Sequence, residues 1–287
     1  TTGFLQNLLK TNEYGYWNHI LIFCFCGTIL SLGKYKYLDI IIKIIGITLL
    51  VSTICSFIIV LFKGPYQKDI FPLLEYSKKD VFFIIALMGW MPTAVDLSSW
   101  NSLWTIERIK QTRYLPSMKQ TLFEFNMGYV ISAILSICFL TLGTYLMYGT
   151  NLTFANNSAT FANQVISLYT QSIGDWSYII ISVSGFSIMF GTCIAVFDGY
   201  ARSASECLRL VLDKKEYEKT IYNCLIWLLV LGSTIIIFQF GSKIKELVDL
   251  ATTISFLIAP FVAFGNYKLV LEPNLQTRDT PPKWLQY

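Results

Sequence analysis

Charged side chains are scarce in this chain. They make up 14% of its 287 residues, against 54% hydrophobic residues, and the mean hydropathy is +0.53. A soluble globular chain normally carries about 25% charged residues. The shortage excludes an ordinary soluble domain and predicts an all-α integral membrane protein.

Several chemical signatures are also missing. The chain has one histidine, and its seven cysteines form no CxxC pair. These cysteines lie mostly in apolar runs, so we interpret them as small core residues rather than disulfides or metal ligands. No HExxH, GxSxG or histidine cluster is present, which argues against an enzyme. We expect no cofactor, no nucleic-acid partner and no obligate protein partner.

Seven apolar runs are long enough to cross about 30 Å of hydrocarbon. Most of the 22 lysines and arginines fall in segments that share one side if the first run enters from outside. That bias predicts a multi-pass protein of the plasma (inner) membrane. We expect one transporter domain over 1–287, and the two chain ends predict a fragment. The predicted spans lie near 16–33, 38–62, 81–106, 123–148, 176–200, 221–240 and 247–270.

The third span contains residues that should break a helix. Pro92 has no amide hydrogen, and its ring clashes with the carbonyl four residues earlier, that of Met88. Gly89 lies between them. Unwound backbone in a membrane is tolerated where it is buried in protein or lines a cavity. Broken helices of this kind form the substrate sites of secondary transporters, so we predict a discontinuous helix at Gly89–Pro92.

The same segment predicts a metal-ion site. The freed carbonyl of Met88 suits a cation, and the thioether of Met91 favours transition metals over calcium or magnesium. Asp96 lies one turn beyond Pro92, where a carboxylate is costly and usually functional. Two alternatives stay open: Met91 as a packing residue, and Asp96 as a proton relay or a cap for freed amides.

Other polar residues in the spans have a structural and a functional interpretation each. Asp198 is either a local ion-pair partner of Arg202 at i+4 or part of a gate. Glu124 lies at the start of the fourth span. It is either a solvated residue of the first turn or part of an inner vestibule or proton path. Pro260 frees another carbonyl in the last span, beside hydroxyl groups that helix contacts would explain equally well.

The sequence resembles the Nramp (natural resistance-associated macrophage protein) divalent-metal transporters. Met91-Pro92 is similar to the start of the Met-Pro-His triplet in that family's sixth helix, and Met88 takes the position of its carbonyl ligand. The segments at 189–192 (Met-Phe-Gly-Thr) and 197–202 (Phe-Asp-Gly-Tyr-Ala-Arg) are similar to the eighth helix. Glu124 falls where the family has a glutamate opening its seventh helix.

The resemblance implies a partial LeuT-type inverted-repeat bundle that covers the family's fourth to tenth helices. Thr93 replaces the family's histidine and Asp96 is additional, which indicates a divergent branch. The family's first helix, with its Asp-Pro-Gly-Asn ligands, is absent from this sequence. The implied function is proton-linked import of divalent transition metals such as manganese or iron, by alternating access. The alternative is an amino-acid or organic-solute or organic-cation symporter of the same fold, which Met91 argues against.

Overall fold

The computed structural model describes residues 1–9, 15–32, 36–66, 77–90, 97–149, 155, 157–213, 219–240 and 243–270. Within these ranges all regular secondary structure is helical, which confirms the predicted all-α class. A short 3-10 turn at Asp175–Ser177 precedes the eighth helix. The α-helices are α1 (Thr2–Leu9), α2 (Gly15–Leu32), α3 (Lys36–Lys63), α4 (Lys78–Trp90), α5 (Ser98–Thr112), α6 (Met118–Met147), α7 (Ser158–Ile173), α8 (Tyr178–Val211), α9 (Lys219–Phe240) and α10 (Ile244–Val270).

Five described helical segments are long and apolar enough to cross a membrane, by length and composition. At most 28% of the most apolar window in any of them is buried, so much of their apolar surface faces outward. Outward apolar surface on this scale is typical of contact with lipid, and the protein is therefore a multi-pass integral membrane protein. The segments are Gly46–Lys63, Met118–Met147, Asp175–Val211, Lys219–Phe240 and Glu246–Leu269, with shorter apolar helices at Trp17–Leu32 and Asp80–Gly89.

The helix α7 was not predicted from the sequence, which indicated only a loop at 150–175. Its first turn is capped by Asn157, whose side-chain oxygen accepts hydrogen bonds from the amides of Ala159 (2.9 Å) and Thr160 (3.2 Å). Its Tyr169 is buried, and the phenol lies 3.0 Å from the hydroxyl of Thr53 on α3. The helix is therefore packed against α3 as part of the core.

The C-terminal part of α8 differs from what its sequence predicts. At Ser203–Leu212 leucine and valine side chains alternate with charges, a pattern that predicts a short segment lying along the membrane, but α8 continues through Val211 without interruption. Ala201 and Ser205 are both buried one turn apart, so the same face of the helix stays packed beyond Gly199. The sequence predicts a second surface segment at Pro72–Tyr76, which lies outside the described residues.

A reciprocal cap marks the start of α4. The Ser77 amide donates to the carboxylate of Asp80 at 2.8 Å, and the Asp80 amide donates to the Ser77 hydroxyl at 3.4 Å. This is the arrangement of a capping box. The hydrogen bonds from Ser77 lower the pKa of Asp80, because they favour its charged form.

The chain divides into two compact units. One contains residues 1–74 and 134–245, and its core is built by α2, α8 and α9 together with a cluster around α7. The other contains residues 75–133 and 246–287, with α4, α5, α10 and the first half of α6. Each unit holds one group of the residues singled out above.

Candidate functional site

The predicted metal site lies partly outside the described residues. Met91, Pro92 and Asp96 fall in the undescribed range 91–96, between α4 and α5. Met88 is in the last turn of α4, and 59% of its side chain is exposed. No cluster of three or more histidine, cysteine or carboxylate side chains suited to a metal occurs among the described residues. The ligand set predicted here does not require such a cluster, because it combines a carbonyl, a thioether and one carboxylate.

Gly89 brings the end of α4 into backbone contact with α10. A Cβ atom at this position would overlap the carbonyl oxygen of Thr252 and lie 3.0 Å from the amide nitrogen of Phe256. Only a residue without a side chain permits this approach, which is the usual role of small residues between membrane helices. The sequence assigned Gly89 to the helix break alone, and the structure adds this packing role.

The facing turn of α10 carries an unusual carbonyl. Pro260 lies inside α10 and has no amide hydrogen, so the carbonyl of Phe256 lacks its normal i+4 donor. The buried Thr252 hydroxyl donates instead within its own helix, to the carbonyls of Val248 (2.9 Å) and Asp249 (3.1 Å). The carbonyl of Phe256, one turn beyond the contact of Thr252 with Gly89, is therefore chemically suited to a cation.

A cleft of about 790 Å³ lies between α5 and α6 in the same unit. Its lining residues recur every three or four positions on each helix, as one face of an α-helix requires. Glu124 is one of the exposed residues that line this cleft, which is compatible with both interpretations given for it above. The lining consists of Asn101, Trp104, Thr105, Arg108, Ile109 and Thr112 from α5, Tyr114 and Pro116 from the turn, and Gln120, Thr121, Glu124, Phe125, Gly128, Tyr129 and Ser132 from α6.

Hydrogen bonds stabilise the turn that joins α5 to α6 at one end of this cleft. Arg113 ends α5 in the left-handed conformation, with φ of 55°, and its amide donates to the Ile109 carbonyl at 2.8 Å. The side-chain oxygen of Gln120 then accepts from the Ser117 amide (2.9 Å) and from the Tyr114 hydroxyl (3.1 Å). The turn that sets the spacing of α5 and α6 is thus held by its own side chains.

The cleft carries one guanidinium and one carboxylate. Arg108 comes from α5 and Glu124 from α6, and both side chains are exposed to the cleft. In the described part of the chain, neither side chain takes part in an ion pair. Two opposite charges, one on each of the two helices that line the cleft, are therefore available to a ligand.

A buried ion pair lies in the other unit. Arg202 donates from Nε to both carboxylate oxygens of Asp198 at 2.8 Å, and the Tyr222 hydroxyl donates to Asp198 Oδ1 at 2.5 Å. The guanidinium also lies 5.3 Å from the centre of the Tyr222 ring. The predicted i+4 pair is confirmed. Tyr222 was missed, because it comes from α9 and no sequence spacing relates it to Asp198.

The comparisons with known proteins give one relative. The chain is similar to an uncharacterized protein from Pasteurella multocida (strain Pm70), with 35% identity over 249 residues, covering 85% of this chain. The match covers 57% of the relative's length, so the chain spans little more than half of that protein. No family model matches the chain, and no solved structure matches it.

Proposed function

We propose that the protein is a secondary transporter that imports divalent transition-metal ions of the manganese or iron type across the plasma (inner) membrane. Its site lies at the predicted helix break at Gly89–Pro92. The ligands are the Met91 thioether, the Met88 carbonyl and the Asp96 carboxylate. The LeuT-type inverted repeat implied by the Nramp resemblance is part of this proposal.

The contact between Gly89 and α10 is the observation that supports it best. The end of α4, where Pro92 should free a carbonyl, lies against the turn of α10 whose Phe256 carbonyl lacks a donor. Pro92 is predicted to interrupt α4, whereas Pro260 lies inside a continuous α10, so each proline is expected to leave one carbonyl without its helical donor. In secondary transporters, unwound carbonyls at such interruptions coordinate the transported cation.

The chemistry of the proposed ligands favours transition metals. Carbonyl and carboxylate oxygens alone would suit calcium or magnesium, whereas a thioether is a soft ligand that these hard ions do not use. The ion is cargo rather than a resident cofactor. Coupling to protons would need a titratable group beside the ion. Thr93 cannot supply one, because a threonine hydroxyl does not titrate near neutral pH. Asp96 is the nearest carboxylate in sequence.

The remaining predicted residues take roles at a distance from the ion. Glu124 lines the cleft between α5 and α6, and its carboxylate suits a proton path. Asp198 is held by Arg202 and Tyr222, an arrangement that suits a rigid support for α8 and α9. A role for Asp198 as a gate would require its ion pair with Arg202 to open during transport, and we propose that role on this condition.

Selectivity is the experiment that tests this function. In the full-length protein, Met91→Ala should leave a harder, oxygen-rich site, so inhibition of manganese uptake by calcium should rise by about tenfold while manganese uptake falls less. Met127→Ala, an exposed methionine on α6, is the matched control. An unchanged calcium competition profile in Met91→Ala would make Met91 a packing residue and remove the soft-ligand argument.

The helix break is tested separately. Pro92→Ala should let a helix close through Met88, which removes the freed carbonyl and the hinge. Uptake should fall sharply while the protein still reaches the membrane, as measured by surface labelling and transport in the same cells. Full transport by Pro92→Ala would refute the discontinuous helix. Uptake of an amino acid that is unaffected by metals would favour the symporter alternative.

A further inference from the structure

We propose that the cleft between α5 and α6 is a binding site for a small zwitterion. The ligand's anionic group binds the guanidinium of Arg108, and its ammonium group binds the carboxylate of Glu124. This site is distinct from the metal site proposed above, and the inference does not depend on metal transport.

The charges on the two walls decide the ligand class. Arg108 offers a planar fork of donors that matches a carboxylate or phosphate, and Glu124 is an acceptor for an ammonium group. A purely anionic ligand would be repelled by Glu124, and a metal ion or other pure cation would be repelled by Arg108. A ligand that carries both charges satisfies both walls, since neither residue has an ion-pair partner in the described ranges.

Aromatic side chains adjoin the carboxylate. Phe125 and Tyr129 follow Glu124 on α6, and their ring centres lie 4.6 Å apart. Trp104 from α5 lines the same cavity. Aromatic faces attract an ammonium group, so they add to the attraction of Glu124 for the cationic end of the ligand.

The size and the remaining lining fit an organic molecule. A volume of about 790 Å³ lies within the usual range for small-molecule sites and far exceeds the need of one ion. Asn101 also lines the cleft, with a side-chain amide that can bind polar substituents. The turn that joins the two helices at Gln120 is hydrogen-bonded without the ligand.

Two sources supply the required chemistry, a free amino acid and the ethanolamine headgroup of a phospholipid. Binding to the purified full-length protein is measured by calorimetry with individual L-amino acids in detergent. A parallel measurement compares nanodiscs that contain phosphatidylethanolamine with nanodiscs that contain only phosphatidylglycerol, by thermal stabilisation. We expect binding in at least one arm, and the arm that responds identifies the source. Failure of both arms overturns the proposal.

Charge variants separate ligand binding from folding. Arg108→Gln and Glu124→Gln should each weaken binding by about tenfold or more, because each removes a charge-assisted hydrogen bond. Lys110→Gln is the matched control, since Lys110 is exposed on α5 and does not line the cleft. Equal affinity in Arg108→Gln, Glu124→Gln and the control refutes the assignment, as does acetate or ethylamine binding as tightly as the zwitterion.

A charge swap and the helix-break variant complete the test. Arg108→Glu combined with Glu124→Arg should recover binding lost in either single reversal, since the ligand can turn around, and no recovery contradicts the pairing. Pro92→Ala should retain zwitterion binding while it loses metal uptake. The two proposals can therefore fail independently.

Discussion

Replacing Gly89 by alanine should disrupt the contact between α4 and α10. The added Cβ atom would lie 2.9 Å from the Thr252 carbonyl carbon and 3.0 Å from the Phe256 nitrogen, whereas ordinary contacts begin at 3.4 Å. The helices must separate by at least 0.5 Å at the carbon (3.4 minus 2.9) and by more at the overlapped oxygen. The obstacle is backbone, so no side chain can rotate away.

This displacement is large on the scale of a metal site. Metal–ligand distances tolerate about 0.2 Å of error, and a misplacement of about 1 Å at a reacting group can cost roughly 10²-fold. We expect Gly89→Ala to lower metal uptake by about tenfold or more. Overpacking of this kind should also destabilise the protein by about 1–3 kcal/mol.

Gly265 provides the control, because it lies on α10 and has no atom within 4 Å of an added Cβ. Gly265→Ala should leave uptake intact and should stabilise the helix slightly, since alanine is the better helix former by about 1 kcal/mol. Uptake is measured in proteoliposomes and stability by thermal denaturation in the same detergent. Wild-type uptake and stability in Gly89→Ala would refute the close contact.

Three further predictions concern the carboxylates of Asp198, Asp96 and Asp80. Asp198→Asn should destabilise the protein by about 3–5 kcal/mol, because it leaves the Arg202 guanidinium buried without its partner, and Tyr222→Phe should cost less, about 1.5–3 kcal/mol. Thermal denaturation checks the order, and a smaller loss in Asp198→Asn than in Tyr222→Phe would contradict it. Asp96→Asn should weaken metal binding or flatten the pH dependence of uptake, and identical uptake curves against pH and metal concentration would make Asp96 a structural cap. The pKa of Asp80 is lower in the folded protein than in the unfolded chain, where it is about 3.9. Its stabilisation of the start of α4 is therefore fully present above that unfolded-state pKa, and it is lost as the pH falls through the folded-state pKa. Hydrogen exchange at the α4 N-terminus, corrected for intrinsic rates, should therefore rise in strong acid, and the rise should be absent in Asp80→Asn.

Local spacing explains which parts of the sites were predictable. The Asp198–Arg202 pair follows from residues four apart on one helix. The vestibule role of Glu124 stays a prediction, and the helix that contains it begins at Met118, earlier than the predicted span. The contact of Gly89 with Thr252 and the hydrogen bond from Tyr222 join distant parts of the chain. Local spacing in a single sequence does not show which helices pack against each other, so it cannot identify such contacts.

The cleft and α7 were missed for different reasons. On α5, polar residues at 101, 105, 108 and 112 form a stripe that was visible in the sequence. The stripe could not be recognised as one wall of a cleft, because that requires knowing that a second stripe, on α6, lines the same cavity. The helix α7 was missed because its residues are too polar for a membrane span, although the cap at Asn157 was a usable signal.

The uninterrupted α8 has a mechanical consequence. Its 34 residues extend about 51 Å, whereas the hydrocarbon core is about 30 Å thick, so about 20 Å of rigid rod remains beyond the span. A tilt of about 10° would move one end of such a rod sideways by roughly 9 Å relative to the other. The Asp198–Arg202 pair lies well along this rod, toward the end marked by Val211. Any tilt of α8 within the membrane would therefore be amplified at the end of the helix that extends beyond the span.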